Sequence, residues 1–187
     1  RLEGDYRDYQ VGEVWGSLFD CGWFHVTGTV PASACGKKTV LLLDFSGEGC
    51  LYDKDGCPIR GITNVSSHYD FALGMPGKRV VPFADPAAGG ETVDLWIDAG
   101  CNDLFGNFKG DGKIVQLDIA LCDEAARTVY YDIVVLDDLL GCLPEDSPQA
   151  ASILYTLQKA FACLSDFSQE EFEEAHAILQ KELSKTG

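Results

Sequence analysis

The sequence predicts an antiparallel β-sandwich, or jelly roll, followed by about three helices. Two observations carry this prediction. Residues 22–123 show strand-like patterns with turn residues roughly every eight to twelve positions. After Asp123 the apolar residues recur at helical spacing instead. Many short strands joined by hairpin turns are typical of sandwiches and jelly rolls. We therefore place a mainly β domain over residues 1–125 and a helical region over residues 126–187.

The predicted strands alternate between apolar and polar residues. KTVLLLDF is apolar throughout, which predicts burial on both faces. GCLYDKDGCPIRGI predicts a hairpin whose turn is Asp55-Gly56, and HYDFAL predicts a further strand. The residues predicted to point inward are Phe24, Val26 and Val30 in WFHVTGTV, Val93, Leu95, Ile97 and Ala99 in ETVDLWIDA, and Val115, Leu117, Ile119 and Leu121 in KIVQLDIALC.

The helical region contains clear start and stop signals. Ser147 and Pro148 suit the cap and the first position of one helix, and Ser168 with Glu171 has the capping-box spacing of another. VYYDIVVLDDLLGCL predicts a helix from about Tyr130, ended by Pro144. Each of the three predicted helices has an apolar face that should point inward. These faces are Val129, Ile133, Leu136, Leu140 and Leu143 in the first helix; Ala150, Ile153, Leu154, Leu157, Phe161 and Leu164 in the second; and Phe172, Ala175, Leu179 and Leu183 in the third.

The composition restricts the partners and the compartment. Acids outnumber bases 30 to 14, which argues against nucleic acid and anionic membranes as partners. The eight cysteines are scattered and form no C-x-x-C pair, so we expect free thiols and a cytoplasmic location. The chain has no signal-peptide pattern and no run of eighteen apolar residues. Met75 is its one methionine, and we expect a piece of a longer protein.

Candidate catalytic and metal motifs are weak. His68-x-Asp70 could place two zinc ligands on one strand face, but no other histidine has a metal spacing to it, so we interpret it as a polar strand face. Asp53-Lys54-Asp55-Gly56 resembles the middle of a calcium loop but lacks its outer ligands. No nucleophile lies in a catalytic motif. A glycosidase carboxylate pair stays open, because 30 acids offer many choices and their separation in space decides. We assign no catalytic residue, no metal ligand and no cofactor in this chain.

Several aromatic residues lie at predicted strand ends or on outward faces: Trp15, Trp23, Trp96 and Phe105. Flat rings suit the C–H faces of sugars, while Asn and Asp side chains suit the hydroxyls. A carbohydrate-binding module is therefore one interpretation. Large aromatic residues mostly pack, so the interpretation we favour is that Trp15 and Trp23 close the sandwich or cover a domain contact.

A series of motifs in order resembles the domain that precedes the catalytic barrel in the α-mannosidases of glycoside hydrolase family 38. The series begins with Trp15-Gly16, Gly22-Trp23-Phe24 and a strand ending in Val30-Pro31. It continues with LLLDFSGEGCLYDKDGCPIRGI and with CNDLFG, which is similar to a family element A-C-N-G-x-F-G. It ends with the helical stretch around LPEDSP. The resemblance covers residues 10–165 and is closest to the cytosolic or vacuolar and bacterial branch.

The resemblance implies a galactose-binding-like jelly roll that is catalytically silent by itself. It implies a longer protein that hydrolyses terminal α-mannosides with retention, through a zinc ion in a barrel that follows. The family's zinc motif is not matched by His68-x-Asp70, so no zinc ligand is carried over. Asp103 replaces the family's glycine, so a close backbone approach at that position is not carried over from the family.

We expect the domain to pack on the barrel and to help wall its cleft. The candidate residues for a carbohydrate site or a domain interface are Asn102, Asp103, Phe105, Asn107, Trp15 and Trp23. The expected partners are the barrel and mannose-containing glycans. Two alternatives stay open at this point: a carbohydrate-binding module that acts without a barrel, and a fragment that is itself a hydrolase.

Overall fold

A computed structural model describes residues 4–63, 78–102 and 110–185 of the 187-residue chain. The chain divides into two compact units, Arg1–Leu121 and Cys122–Gly187. The first unit is built from strands and the second from helices, so the change of period in the sequence corresponds to a change of architecture. The predicted boundary at residue 125 lies four positions after the observed one.

The strands of the first unit form antiparallel sheets. Within the described residues, β2, β7, β4 and β5 make a four-stranded sheet in that order, and β6, β3 and β9 make a three-stranded one, while β1 pairs with β8. The bounds are β1 Val14–Gly16, β2 Cys21–Thr29, β3 Thr39–Asp44, β4 Glu48–Tyr52, β5 Pro58–Thr63, β6 Val80–Ala84, β7 Thr92–Gly100, β8 Gly112–Lys113 and β9 Gln116–Leu121.

Apolar side chains from both larger sheets form one core. Leu41 and Leu43 of β3 and Val81 of β6 contribute from one sheet, and Leu51 and Ile97 contribute from the other. The period-two alternation of β7 is confirmed, because its four predicted inward residues are all buried. β3 is buried along almost its whole length, as the unbroken apolar run predicts. The jelly-roll sandwich is therefore the observed fold of this unit.

The hairpin between β4 and β5 confirms the prediction for Asp55-Gly56. Gly56 has φ +83°, a conformation that favours glycine. The Asp53 carboxylate accepts hydrogen bonds from the backbone N–H groups of Asp55 and Cys57, each at 2.9 Å. Asp53 therefore holds the turn and is not part of a calcium loop. The strand predicted for HYDFAL lies outside the described residues.

The alternation predicted for KIVQLDIALC is partly wrong. Val115 and Leu121 are exposed, whereas Ile114 is buried in the core. The chain leaves the β1–β8 ladder after Lys113 and joins the other sheet only at Gln116. Since this step interrupts the strand, Ile114 takes the inward place, and Leu121 is the last residue of an edge strand.

The second unit contains three helices among its described residues: α1 Glu124–Gly141, α2 Pro148–Cys163 and α3 Gln169–Leu183. None of them is long and apolar enough to cross a bilayer. The start predicted for α1 was about six residues too late. The Asp123 side chain accepts a hydrogen bond from the Ala126 N–H at 3.0 Å, so this cap starts the helix before the β-branched stretch.

The caps of α2 and α3 are as predicted. The Ser147 hydroxyl accepts from the Ala150 N–H, and Ser168 and Glu171 form a complete capping box. The buried face of α2 was predicted too broadly, because Leu154 and Phe161 are exposed while Thr156 and Ala160 are buried. The helix turns the narrow stripe of Ala150, Ile153, Leu157 and Ala160 inward, and Leu154 and Phe161 lie beyond its edge.

Candidate functional site

A cavity of about 1020 Å³ lies beside strand β2 of the sandwich. Residues 4–10 form one wall, and β2 forms the other from Trp23 to Thr27. Trp96 of β7 adds an aromatic surface. Because β2 is an edge strand of the four-stranded sheet, the segment before β1 can lie along it. Aromatic and polar side chains therefore meet in one concavity.

Strand pairing places the first aromatic group of this cavity. His25 and Trp96 are direct partners across the β2–β7 ladder, and their rings stack with centroids 4.3 Å apart and planes 7° apart. The Tyr6 ring meets Trp96 edge-on at 5.7 Å. His25 Nε2 lies 2.8 Å from Asp94 Oδ1, so the imidazole is held in place from the same strand as Trp96. These contacts fix the orientation of the Trp96 ring.

Trp23 lies on the same face as His25, two residues earlier in β2. Its ring packs against Tyr52 of β4 with centroids 5.4 Å apart, and 38% of the residue stays exposed. The outward direction predicted for Trp23 is therefore observed. Whether it binds sugar or another domain stays a prediction.

Residues 4–10 carry most of the polar groups of the cavity. The Arg7 guanidinium lies over the Tyr9 ring, 3.9 Å from its centroid, and Tyr9 meets Phe24 edge-on at 6.0 Å. The Gly12 N–H donates to the Ile114 carbonyl at 2.7 Å, which holds the end of the segment on the sandwich. Sequence patterns do not predict this wall, because residues 4–10 have no hydrophobic period.

Trp15 points into the sandwich. Its indole Nε1 donates to the Phe45 carbonyl at 2.9 Å, and its ring meets Phe24 edge-on at 5.3 Å. A Cβ on Gly112 would lie only 2.6 Å from this indole, so glycine is required where β8 passes it. Trp15 therefore closes the edge of the core.

Asn102 follows β7 and is the one residue of the predicted Asn102–Asn107 site that the structure describes. Its Nδ2 donates to Glu48 Oε2 at 2.6 Å, at the start of β4. Its Oδ1 is buried and has no hydrogen-bond partner among the residues described. The neighbouring Cys101 thiol is also buried, and this burial, aided by the Asp111 and Asp20 charges, raises its pKa. Asp103, Phe105 and Asn107 lie outside the described residues.

The described histidines pair with carboxylates within single units. His25 pairs with Asp94, and His176 Nδ1 lies 2.6 Å from Asp132 Oδ2. His68 and Asp70 lie outside the described residues. In the ranges 4–63, 78–102 and 110–185, no group of three His, Cys, Asp or Glu side chains could hold a metal ion. These residues therefore do not fit a zinc centre.

The helical unit buries two carboxylates between its helices. Asp132 of α1 contacts His176 and accepts from the Gln180 amide at 3.0 Å, and both partners lie on α3. Glu182 of α3 accepts from Thr156 of α2 at 3.1 Å. Burial raises the pKa of Glu182, but hydrogen bonds from Lys185, Ser152 and Thr156 outweigh it, and the pKa lies below its ordinary value. These groups link the three helices.

The two antiparallel sheets of the first unit, packed on one apolar core, define a jelly-roll domain. A family model described as "Alpha-mannosidase, jelly roll domain" matches residues 1–161, so the chain belongs to this family. The resemblance to an α-mannosidase jelly roll is thereby confirmed.

Three curated relatives agree with this assignment. Alpha-mannosidase 2C1 of Homo sapiens is 27% identical over 197 residues, and that of Mus musculus is 25% identical over 196; each match covers 100% of this chain and 18% of the relative. Alpha-mannosidase G of Dictyostelium discoideum is 24% identical over 157 residues, which cover 78% of this chain and 14% of that protein. The chain thus spans less than a fifth of each of these relatives.

Proposed function

We propose that this chain is the non-catalytic N-terminal domain of a cytoplasmic α-mannosidase of glycoside hydrolase family 38, and that it packs on the catalytic barrel and helps to wall its cleft. The observation that carries the proposal is the family match over residues 1–161, which includes the whole described sandwich. The relatives it matches are named as α-mannosidases and are several times longer than this chain.

In the longer protein, we propose hydrolysis of terminal α-mannosides with retention of configuration. A zinc ion in the barrel would supply Lewis-acid and substrate-orienting chemistry there. We propose that this chain contributes no catalytic group to that reaction. The support is that its family match is to a jelly-roll domain of an α-mannosidase.

The end of the sandwich at Asn102 is the part that we propose for the barrel contact. Asn102 and Glu48 hold the end of β7 beside the start of β4. The buried Asn102 Oδ1 is an acceptor for which no described residue donates, and a buried amide oxygen is costly unless it is paired. A donor from the neighbouring domain would satisfy it. Asp103, Phe105 and Asn107 follow directly in the sequence and complete the proposed interface.

The test uses the longer α-mannosidase that contains this chain. Asn102→Ala and Phe105→Ala should each lower kcat/KM toward a para-nitrophenyl α-mannoside, or lower the melting temperature, because each would lose the interdomain contact proposed for it. Gln116→Ala is the matched control, since its amide bonds Asp118 within one strand at 3.0 Å. It should leave both quantities unchanged. Unchanged kinetics and melting in both test variants would overturn the proposed interface.

A second candidate function is a carbohydrate-binding module that acts without a barrel. The cavity beside β2 favours it, because aromatic rings and polar side chains converge there. This candidate differs from the first in that the isolated chain must bind a saccharide. A scaffold domain need not bind one.

A further inference from the structure

We propose that the cavity beside β2 binds a neutral oligosaccharide of hexopyranose units. This inference locates the binding site of the carbohydrate-binding candidate, and it does not depend on the proposed contact with the barrel. It rests on three properties of the cavity: its fixed aromatic rings, its mixed hydrogen-bonding groups and its size. The cavity lies within the sandwich unit, and its lining residues belong to that unit alone.

The aromatic rings are exposed enough to meet a ligand and are held in place by other contacts. Tyr6 is 50% exposed and Trp23 is 38% exposed, although each packs against a second ring. Trp96 is supported by the His25 stack and by Tyr6. Rigid rings of this kind offer apolar contact area at little entropic cost, which suits the C–H faces of a pyranose.

The polar groups include both donors and acceptors. The Arg7 guanidinium offers several N–H donors, and its position over the Tyr9 ring limits its freedom. Asp5 and Asp8 supply carboxylate acceptors, and Gln10 supplies an amide that can donate and accept. Sugar hydroxyls also donate and accept, so this mixture matches them. The chain's net charge of −16 disfavours acidic glycans.

The size of the cavity indicates more than one sugar unit. Ligand sites typically have volumes of roughly 300–1,000 Å³, and this cavity, at about 1020 Å³, lies just above that range. Its far wall is anchored before any ligand arrives, by the Gly12–Ile114 backbone hydrogen bond and by the Tyr9–Phe24 contact. The site is therefore largely preformed.

An organic cation is the competing ligand, because acids and aromatic rings also suit a quaternary ammonium group. The structure favours the sugar. The Arg7 guanidinium lines the cavity, and its positive charge would repel a second cation but not a neutral sugar. Tyr6 and Trp23 are the most exposed of these rings. Tyr6 packs against Trp96 and Trp23 packs against Tyr52, so the described rings do not form a closed aromatic cage.

The test is isothermal titration of the 187-residue chain with α-mannotriose, maltotriose and tetramethylammonium. We expect at least one trisaccharide to bind with a Kd of about 1 mM or tighter. Tyr6→Ala and Trp23→Ala should each weaken that binding by about tenfold or more. Tyr155→Ala is the matched control, because Tyr155 is 59% exposed on a helix of the other unit. It should bind as the parent chain does.

Circular dichroism of each variant keeps the test interpretable. Tyr6 precedes the first strand and is half-exposed, so Tyr6→Ala should keep the spectrum of the parent chain. Three results would overturn the proposal: no binding of either trisaccharide, undiminished binding in Tyr6→Ala and Trp23→Ala, or binding of tetramethylammonium alone. A titration without saccharide binding would not affect the kinetic test of Asn102 and Phe105, so the two proposals can fail separately.

Discussion

The sandwich unit and the helical unit of this chain are each stabilised internally, and the kinds of interaction differ between them. In the sandwich, backbone ladders fix which residues face each other, as in the continuous pairing of β2 with β7 from Cys21–Gly100 to Thr29–Thr92. Helices satisfy their backbone hydrogen bonds internally. Side chains alone therefore determine how α1, α2 and α3 pack against one another. The helical unit accordingly places polar groups between its helices beside an apolar core. In the sandwich the main core is apolar, and the buried Asp44 carboxylate lies at the end of β3.

The difference indicates where each unit is most sensitive to substitution. The sandwich should respond most to lost volume in its core, since its register is secured by hydrogen bonds that a side-chain change does not remove. The helical unit should also respond to the loss of a single buried carboxylate. Asp132 has His176 and Gln180 as partners on α3, so its removal leaves two polar groups without their acceptor.

The largest effect is expected from a cavity in the sandwich core. Ile97 is fully buried at the centre of β7, and Ile97→Ala should lower the free energy of unfolding by about 2–5 kcal/mol. Ile59→Ala is the matched control in the same sheet, where the side chain is 50% exposed, and it should change stability by less than about 1 kcal/mol. Urea unfolding followed by circular dichroism measures both. Equal losses would contradict the assigned core.

A smaller effect is expected from the buried carboxylate of the helical unit. Asp132→Ala should lower the free energy of unfolding by about 1–3 kcal/mol, because it removes the hydrogen bonds of a charged acceptor that link α1 to His176 and Gln180 of α3. Asp137→Ala makes the same chemical change at an exposed position of the same helix and should have almost no effect. If thermal melts show no difference between the two variants, Asp132 does not secure the pairing of α1 with α3.

Much of the fold could be predicted because local patterns determine it. Alternation in β7 identifies its buried face, and the Asp55-Gly56 turn and the Ser168–Glu171 capping box each rely on neighbouring residues. The errors arose where distant packing decides. The exposure of Val115 follows from a change of sheet, and that of Leu154 follows from which stripe of α2 faces its neighbours.

The candidate site could be predicted only in part, for the same reason. Alternation predicts that Trp23 and His25 point outward, and they do. The contact of His25 with Asp94 joins residues 69 positions apart, and no local pattern encodes it. The wall formed by residues 4–10 depends on tertiary contacts of Tyr6 and Tyr9. The sequence therefore indicates the aromatic residues but not the cavity that they line.

The central claim is that this chain is a non-catalytic domain of an α-mannosidase. Its most direct test is an assay of the purified 187-residue chain with a para-nitrophenyl α-mannoside, with and without added zinc. The longer protein, assayed in parallel, serves as the positive control. We predict that the chain alone releases no nitrophenol above the blank in either condition, while the longer protein turns over substrate. Zinc-dependent release by the chain alone would contradict the account.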